Sequence, residues 1–88
     1  MYNEQYENNS RRKFYEVLPI VKNADNMNNY SSSQVASIMV CTNLSLEDSK
    51  KLCDYMDANN DHPDWSEVTW EEMTQHFREL AYETLQKL

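Results

Sequence analysis

The chain has 88 residues, no glycine, only two prolines and a formal net charge of −7. Tight hairpin turns and phosphate-cradling loops need glycine for positive φ angles, so the composition argues against a β-sheet protein and a glycine-rich nucleotide loop. It predicts a single all-α domain. A domain this short buries only about 60–65% of the surface that its unfolded chain exposes, so we expect a homo-oligomer to complete the core.

The charge is divided unevenly along the chain. Residues 1–44 hold four acidic and four basic side chains, whereas residues 45–88 hold eleven acidic and four basic ones and carry the whole net charge. This acidic half would repel duplex nucleic acid, so we expect none to bind. An anionic ligand would have to meet the basic side chains of the first half, which are Arg11, Arg12, Lys13 and Lys22.

The sequence also restricts the compartment and the chemistry. No apolar run approaches the ~20 residues of a membrane span, so we expect no membrane partner. Nothing resembles a signal peptide, so we expect Cys41 and Cys53 to be reduced cytoplasmic thiols. They have neither CxxC spacing nor a neighbouring histidine, so we expect no zinc site. Asp57, Asn59 and Asp61 imitate the start of a calcium loop, whose required glycine and final glutamate are missing. No catalytic triad spacing is present, so we expect no enzymatic activity and no cofactor. Neither of the two histidines is flanked by cysteine, so we expect no metal.

The first predicted elements are a polar N-terminal arm over residues 1–9 and a helical region over residues 10–28. Ser10 is a suitable N-cap. Pro19 falls inside the apolar stripe of this region, so the sequence leaves open whether the helix begins near Pro19 or is kinked there. The stripe recurs with helical spacing at Phe14, Val17, Leu18 and Val21.

Two further helical regions are predicted over residues 32–58 and 64–88. The first contains a possible break over residues 42–45, so one bent helix and two short helices both remain open. Asp64 or Ser66 would cap the second region. Its apolar face consists of Met73, Phe77, Leu80, Ala81, Leu85 and Leu88, and its polar face carries Glu67, Glu71, Glu72, Glu79 and Glu83. The predicted fold is a short N-terminal helix followed by an antiparallel helical hairpin.

The N-terminal segment combines the kinds of side chain that bind nucleotides. Aromatic rings stack on bases, arginine and lysine neutralise phosphates, and asparagine can read base edges. A solvated helix start is the alternative that composition leaves open. The side chains in question are Tyr2, Tyr6, Asn8, Asn9, Arg11, Arg12, Lys13, Tyr15 and Lys22.

The C-terminal region carries a recognisable motif. Trp65 is followed at fixed spacing by Met73-Thr74-Gln75-His76-Phe77 and then Leu80, a Trp-x7-(Leu/Met)-x-Gln-x-Phe-x-x-Leu pattern. This pattern resembles the C-terminal helix of the phage anti-CBASS cyclic-nucleotide sponge family, small helical proteins that sequester the signalling nucleotides of bacterial antiphage immunity. Upstream, Ile20-Val21-Lys22 is similar to the Ile-x-Lys element of that family.

The resemblance implies a homohexamer that binds cyclic dinucleotides between protomers. By this likeness, Tyr6 stacks on a base, with Tyr2 as a weaker candidate, and Lys22 meets a phosphate. Two features depart from the family pattern. His76 stands where the family has glycine, and Trp70 and Tyr82 stand where the family has arginines, which makes binding of cyclic trinucleotides doubtful.

Two functions are therefore expected as alternatives. The first is a non-enzymatic sponge for cyclic dinucleotides such as 3′,3′-cyclic GMP-AMP, acting in the cytoplasm of the infected bacterial host. Its candidate ligand-binding residues are Tyr6, Asn8, Arg11, Arg12 and Lys22. The second is an acidic nucleic-acid mimic that inhibits a restriction or CRISPR enzyme, and it rests on the acidic half of the chain. A structural adaptor that uses only the amphipathic last helix remains a third reading.

Overall fold

The regular structure is helical throughout the part of the chain that the computed structural model describes, which is residues 4–24, 27 and 30–85 without the side chains of Glu4 and Tyr6. This confirms the all-α prediction. The four helices are α1 (Glu4–Lys22), α2 (Ser32–Thr42), α3 (Leu46–Ala58) and α4 (Trp70–Leu85), and one 3-10 turn (Trp65–Glu67) precedes α4.

Helix α1 begins and ends earlier than the sequence predicted, at Glu4 and Lys22 rather than at residues 10 and 28. It starts at Glu4 and has 19 residues, so the prediction of a non-helical arm is wrong for residues 4–9, and the N-terminal helix is not short. Ser10 lies inside α1 and does not cap it. The early start has a tertiary cause, because the buried Glu7 carboxylate accepts a hydrogen bond from the distant backbone N–H of Trp70 at 2.9 Å.

Pro19 neither begins nor ends α1. The helix runs through Pro19 to Lys22, and the backbone N–H of Asn23 donates to the Pro19 carbonyl at 3.1 Å. Pro19 and its neighbour Ile20 are both exposed, so the ring lies on the solvent side of the helix. Because proline has no backbone N–H, one carbonyl of the preceding turn has no partner within the helix. On the solvent side, water can donate a hydrogen bond to that carbonyl.

The predicted break over residues 42–45 separates two helices. Asn43 ends α2 in the left-handed conformation, with φ of 60°, and its N–H donates to the Met39 carbonyl. Asparagine tolerates this conformation better than most residues, which makes it a natural helix terminator. Ser45 then caps α3, because its hydroxyl accepts from the N–H of Asp48.

The last helical region is shorter than predicted. Asp64 caps the 3-10 turn by accepting from the N–H of Ser66, and α4 begins only at Trp70. The start of α4 is set by a capping box that sequence analysis missed. The N–H of Glu72 donates to the Thr69 hydroxyl, and the Glu72 carboxylate accepts from the Thr69 N–H.

The core forms around α2, which contacts each of the other three helices. From α4, Met73, Phe77 and Leu80 are buried as predicted, and the five glutamates predicted for the polar face are all exposed. Leu88 lies outside the described residues. The other buried apolar side chains are Val21, Val35, Ala36, Ile38, Cys41, Leu52, Cys53 and Met56. The antiparallel hairpin of the later helices stays a prediction.

None of the helices in the described ranges has the length and apolar character needed to cross a bilayer.

Candidate functional site

The predicted ligand-binding residues lie on the outer side of α1. Asn8, Arg11, Arg12 and Lys22 are all exposed. Residues 8, 11, 15 and 22 follow helical spacing, so they share one face of α1 with Tyr15, whose side chain is 65% exposed. This face presents cations and an aromatic ring to solvent. The side chain of Tyr6 and the whole of Tyr2 lie outside the described residues.

The consecutive bases Arg11, Arg12 and Lys13 are divided between two sides of α1. Arg11 points along the outer face, whereas Lys13 lines a groove formed by α1, α2 and α4. This groove, called the basic groove below, has a volume of about 210 Å³. Its lining residues are Asn9, Ser10, Lys13, Val40, Asn43 and Arg78.

Hydrogen bonds fix the cationic side chains at the basic groove. The Lys13 ammonium donates to the Asn43 carboxamide oxygen at 3.2 Å, a bond across 30 residues of sequence. The Arg78 Nε donates to the Cys41 carbonyl at 3.0 Å. This bond holds the guanidinium plane and leaves its terminal nitrogens as further donors.

Arg12 connects the outer face of α1 to the basic groove. Its terminal nitrogen donates to the Asn9 carboxamide oxygen at 3.3 Å, and Asn9 lines the groove. Lys13 and Arg78 therefore line one concavity, and Arg12 is bonded to a third lining residue, in a chain whose net charge is −7. Guanidinium and ammonium groups with neighbouring amide donors form the kind of arrangement that binds phosphate.

The size of the basic groove limits what one chain can hold. Pockets that bury most of a drug-sized ligand measure roughly 300–1,000 Å³, which exceeds the 210 Å³ available here. The groove is large enough for one phosphate group with its first contacts. A larger nucleotide would extend beyond it over the neighbouring surface of α1.

Helix α4 carries a second, wider concavity of about 620 Å³ on its exposed face. Glu71, Glu79 and Glu83 give it an acidic character, and Tyr82 is 73% exposed there. Arg78 borders both this surface and the basic groove. The two concavities therefore have opposite charge.

The two cysteine thiols are unsuited to nucleophilic chemistry. Burial raises the pKa of the Cys53 thiol to about 12, and the nearby Asp57 and Asp54 add to the effect. Burial also raises the pKa of Cys41, although Thr74 and the Arg78 charge oppose it. Both thiols therefore stay protonated near neutral pH, and a protonated thiol is a poor nucleophile.

Sequence analysis named Arg12 as a ligand residue but missed Arg78 altogether. The lining of the groove by Lys13 and Arg78 depends on packing among three helices, which linear spacing does not reveal. One signal was present, because Arg78 is the only lysine or arginine between Trp70 and Leu85. A single cation on an otherwise acidic helix suggests that its side chain contacts a neighbouring helix.

No family model, no curated protein and no solved structure matches the chain. The resemblance to the anti-CBASS sponges stays a prediction, and the function is argued from the geometry described above.

Proposed function

We propose that the protein is a phage anti-defence sponge that binds a cyclic dinucleotide such as 3′,3′-cyclic GMP-AMP and sequesters it without hydrolysis. Bound messenger cannot reach the CBASS effector that it would activate. The activity is stoichiometric and takes place in the cytoplasm of the infected bacterium. It needs affinity and a sufficient number of binding sites, and no catalytic group.

The observation that carries this proposal is the concentration of cations on and beside α1. Lys13 and Arg78 line the basic groove and Arg12 is bonded to its lining residue Asn9, while Arg11 and Lys22 are exposed on another side of α1. A cyclic dinucleotide carries two phosphates. In a ligand held between protomers, one phosphate in the groove of one copy and one against the outer α1 face of a neighbouring copy would each meet at least one cation.

The proposal also requires an aromatic ring against the bases. Tyr15 is 65% exposed on the same face of α1 as Arg11 and Lys22, and its ring has an edge contact with Phe14 at 5.3 Å between centroids. The exposed part of the ring is available to stack. Tyr6 remains the residue expected from the resemblance. Stacking tolerates different bases because every base offers a π-face, so it would add affinity without fixing one base identity.

Assembly of several copies would complete the binding site. The basic groove is too small to enclose a cyclic dinucleotide, and the outer face of α1 is open to solvent. A second protomer covering α1 would turn this open surface into a closed pocket and bury the exposed Tyr15 and Ile20. The resemblance makes a homohexamer the expected assembly.

The experiment is isothermal titration calorimetry of the protein with 3′,3′-cyclic GMP-AMP, using three single variants. Lys22→Ala and Lys13→Ala each remove one proposed phosphate contact, and we expect each to weaken binding about tenfold or more. Lys51→Ala is the matched control, because Lys51 is an exposed lysine on α3, away from the site. We expect its affinity to stay within about twofold of the parent.

The pattern among the variants decides the assignment. Equal losses in all three would indicate a general charge effect, which contradicts a defined site. Unchanged affinity in both Lys22→Ala and Lys13→Ala would contradict it as well. Circular dichroism of each variant separates lost contacts from lost folding, since Lys13 and Lys22 are exposed and outside the core.

The acidic nucleic-acid mimic remains the second candidate, and the exposed face of α4 favours it. Glu71, Glu79 and Glu83 line one open concavity, where exposed carboxylates could imitate the charge of nucleic-acid phosphates. This function predicts a basic protein partner whose affinity falls steeply with added salt. It also predicts no heat of binding with cyclic dinucleotides, which separates it from the first candidate.

A further inference from the structure

A cavity of about 200 Å³ lies on a different part of the molecule from the basic groove. One wall comes from α2 and the residue before it, and the other comes from Trp65 and the first half of α4. Hydroxyl and amide groups line the first wall, and large apolar side chains line the second. The lining residues are Ser31, Ser33, Gln34, Ser37, Trp65, Met73 and Phe77.

Contacts with neighbouring side chains fix the position of the aromatic wall. The ring of Trp65 packs on the ring of Phe77 with centroids 5.1 Å apart and on that of His76 at 6.3 Å. The Nε2 of His76 lies 2.9 Å from an Asp61 carboxylate oxygen, which ties α4 to the loop that leads to Trp65. Trp65 is only half buried, so it keeps part of its surface for another ring.

Several hydrogen-bonding groups of the polar wall are available to a ligand. Within the described residues, the hydroxyls of Ser33 and Ser37 have no partner in the protein. The Gln34 carboxamide donates only to the Met56 sulfur at 3.5 Å, and a thioether is a weak acceptor. The Ser31 hydroxyl is already used, because it accepts from the backbone N–H of Gln34. Three side chains are thus available to the edge of a ligand.

The volume and the two walls together define the ligand class. About 200 Å³ is several times the ~30 Å³ that a water molecule occupies in the liquid, yet it is below the range for a whole drug-sized ligand. It suits one or two fused rings. A flat ring with polar edges would use both walls at once, whereas an aliphatic ligand would make no hydrogen bond with the polar wall.

We propose that this cavity binds a single planar heteroaromatic ring of the nucleobase kind, stacked on Trp65 with its polar edge toward Ser33, Gln34 and Ser37. None of the described residues that line the site is a cation, so it takes the base of an uncharged nucleoside as well as that of a nucleotide. It does not depend on the proposed function, because none of its residues lines the basic groove or lies on α1.

The test is an NMR titration of the ¹⁵N-labelled protein with adenosine, which has no phosphate. The chain has two tryptophans, so Trp65 and Trp70 give two indole N–H signals that a Trp65→Phe variant assigns. We expect saturable shifts of the Trp65 signal and of the Ser33 and Ser37 amides, with the Trp70 signal unmoved. No shift, or equal and non-saturating shifts of both indoles, would overturn the proposal.

Three variants test whether adenosine binds in this cavity. Ser37→Leu fills it and should weaken adenosine binding about tenfold or more. Ser32→Leu, the same exchange on the same helix but outside the cavity, should stay within about twofold. Gln34→Ala removes a hydrogen-bonding group at the ligand edge without filling the cavity. It replaces Ser37→Leu as the test if the NMR spectrum of Ser37→Leu shows that this variant is unfolded. Equal affinity in Ser37→Leu and Ser32→Leu, or in Gln34→Ala and the parent, would contradict the site.

The lysine variants separate the test of this cavity from the test of the proposed function. Adenosine binding that Lys13→Ala and Lys22→Ala leave unchanged would support this cavity whatever the fate of the cyclic dinucleotide site. Adenosine binding that is lost in Lys13→Ala would place the nucleoside elsewhere and overturn the inference.

Discussion

Glu7 shows how one side chain joins the first turns of two helices. Its carboxylate is 4% exposed and receives the first backbone N–H of α4, from Trp70, at 2.9 and 3.0 Å. The N-terminus of a helix has unpaired donors and a partial positive charge, which an anionic acceptor satisfies. Glu7 therefore holds the first turns of α1 against the start of α4.

Replacing Glu7 with alanine should destabilise the fold. The Trp70 N–H would lose its charged acceptor in a partly buried place, so we expect the free energy of unfolding to fall by about 1–3 kcal/mol. Glu16→Ala, at an exposed position of the same helix, should change it by less than about 0.5 kcal/mol. Urea denaturation followed by circular dichroism measures both. Equal stability of the two variants would contradict an anchoring role for Glu7.

Cys53 should make the stability depend on alkaline pH. Because burial raises its pKa from 9.0 to about 12 in the folded protein, folded and unfolded chains both hold the thiol proton below pH 9, where its contribution is complete. As pH rises from 9 toward 12, the unfolded chain releases the proton first, so stability falls.

The Cys53→Ala variant isolates this effect. Between pH 8 and pH 10, its free energy of unfolding should decline by about 1 kcal/mol less than that of the parent, whatever its stability at pH 8. Cys41 is present in both proteins and cancels in the comparison. Denaturant melts at the two pH values give the two slopes, and parallel slopes would contradict the burial of this thiol.

At the scale of the element, α1 carries both the least favourable helical residue and the proposed binding residues. It continues through Pro19, and it turns Lys13 toward the basic groove while Arg11 and Lys22 face outward. The helix is kept whole by its buried side, where Glu7 and Val21 lie. Tertiary contacts therefore override the local preference against proline.

Pro19→Ala should stabilise the protein. Proline costs about 3 kcal/mol relative to alanine within a helix, and the smaller entropy of the unfolded proline chain returns only part of this cost. We expect the free energy of unfolding to rise by about 1–2 kcal/mol. The residue is exposed, so no packing is lost. A lower melting temperature for this variant would show that α1 needs its proline.

At the scale of the whole molecule, sequence periodicity predicted the core better than the boundaries. Met73, Phe77 and Leu80 are buried because a 3.6-residue repeat places them on one face, and Ser45 caps α3 as a local motif should. The start of α1 depends on the contact between Glu7 and Trp70, which no local pattern contains. The same is true of the basic groove, where residues from three helices meet.

The charge of the whole molecule is also organised by the fold. The net charge of −7 coexists with a basic groove and an outer α1 face that together hold Arg11, Arg12, Lys13, Lys22 and Arg78. The glutamates of α4 face solvent along a separate concavity. A ligand with two phosphates would be drawn to α1 and repelled from the open face of α4.

The most direct test of the proposed function is calorimetric titration of the purified protein with 3′,3′-cyclic GMP-AMP, followed by heat denaturation and chromatography of the released nucleotide. The sponge function predicts tight, saturable binding and full recovery of the intact cyclic dinucleotide. Absence of heat across a panel of cyclic dinucleotides, or recovery of a linear product, would contradict it. The first of these results would redirect the search to a basic protein partner for the acidic face of α4.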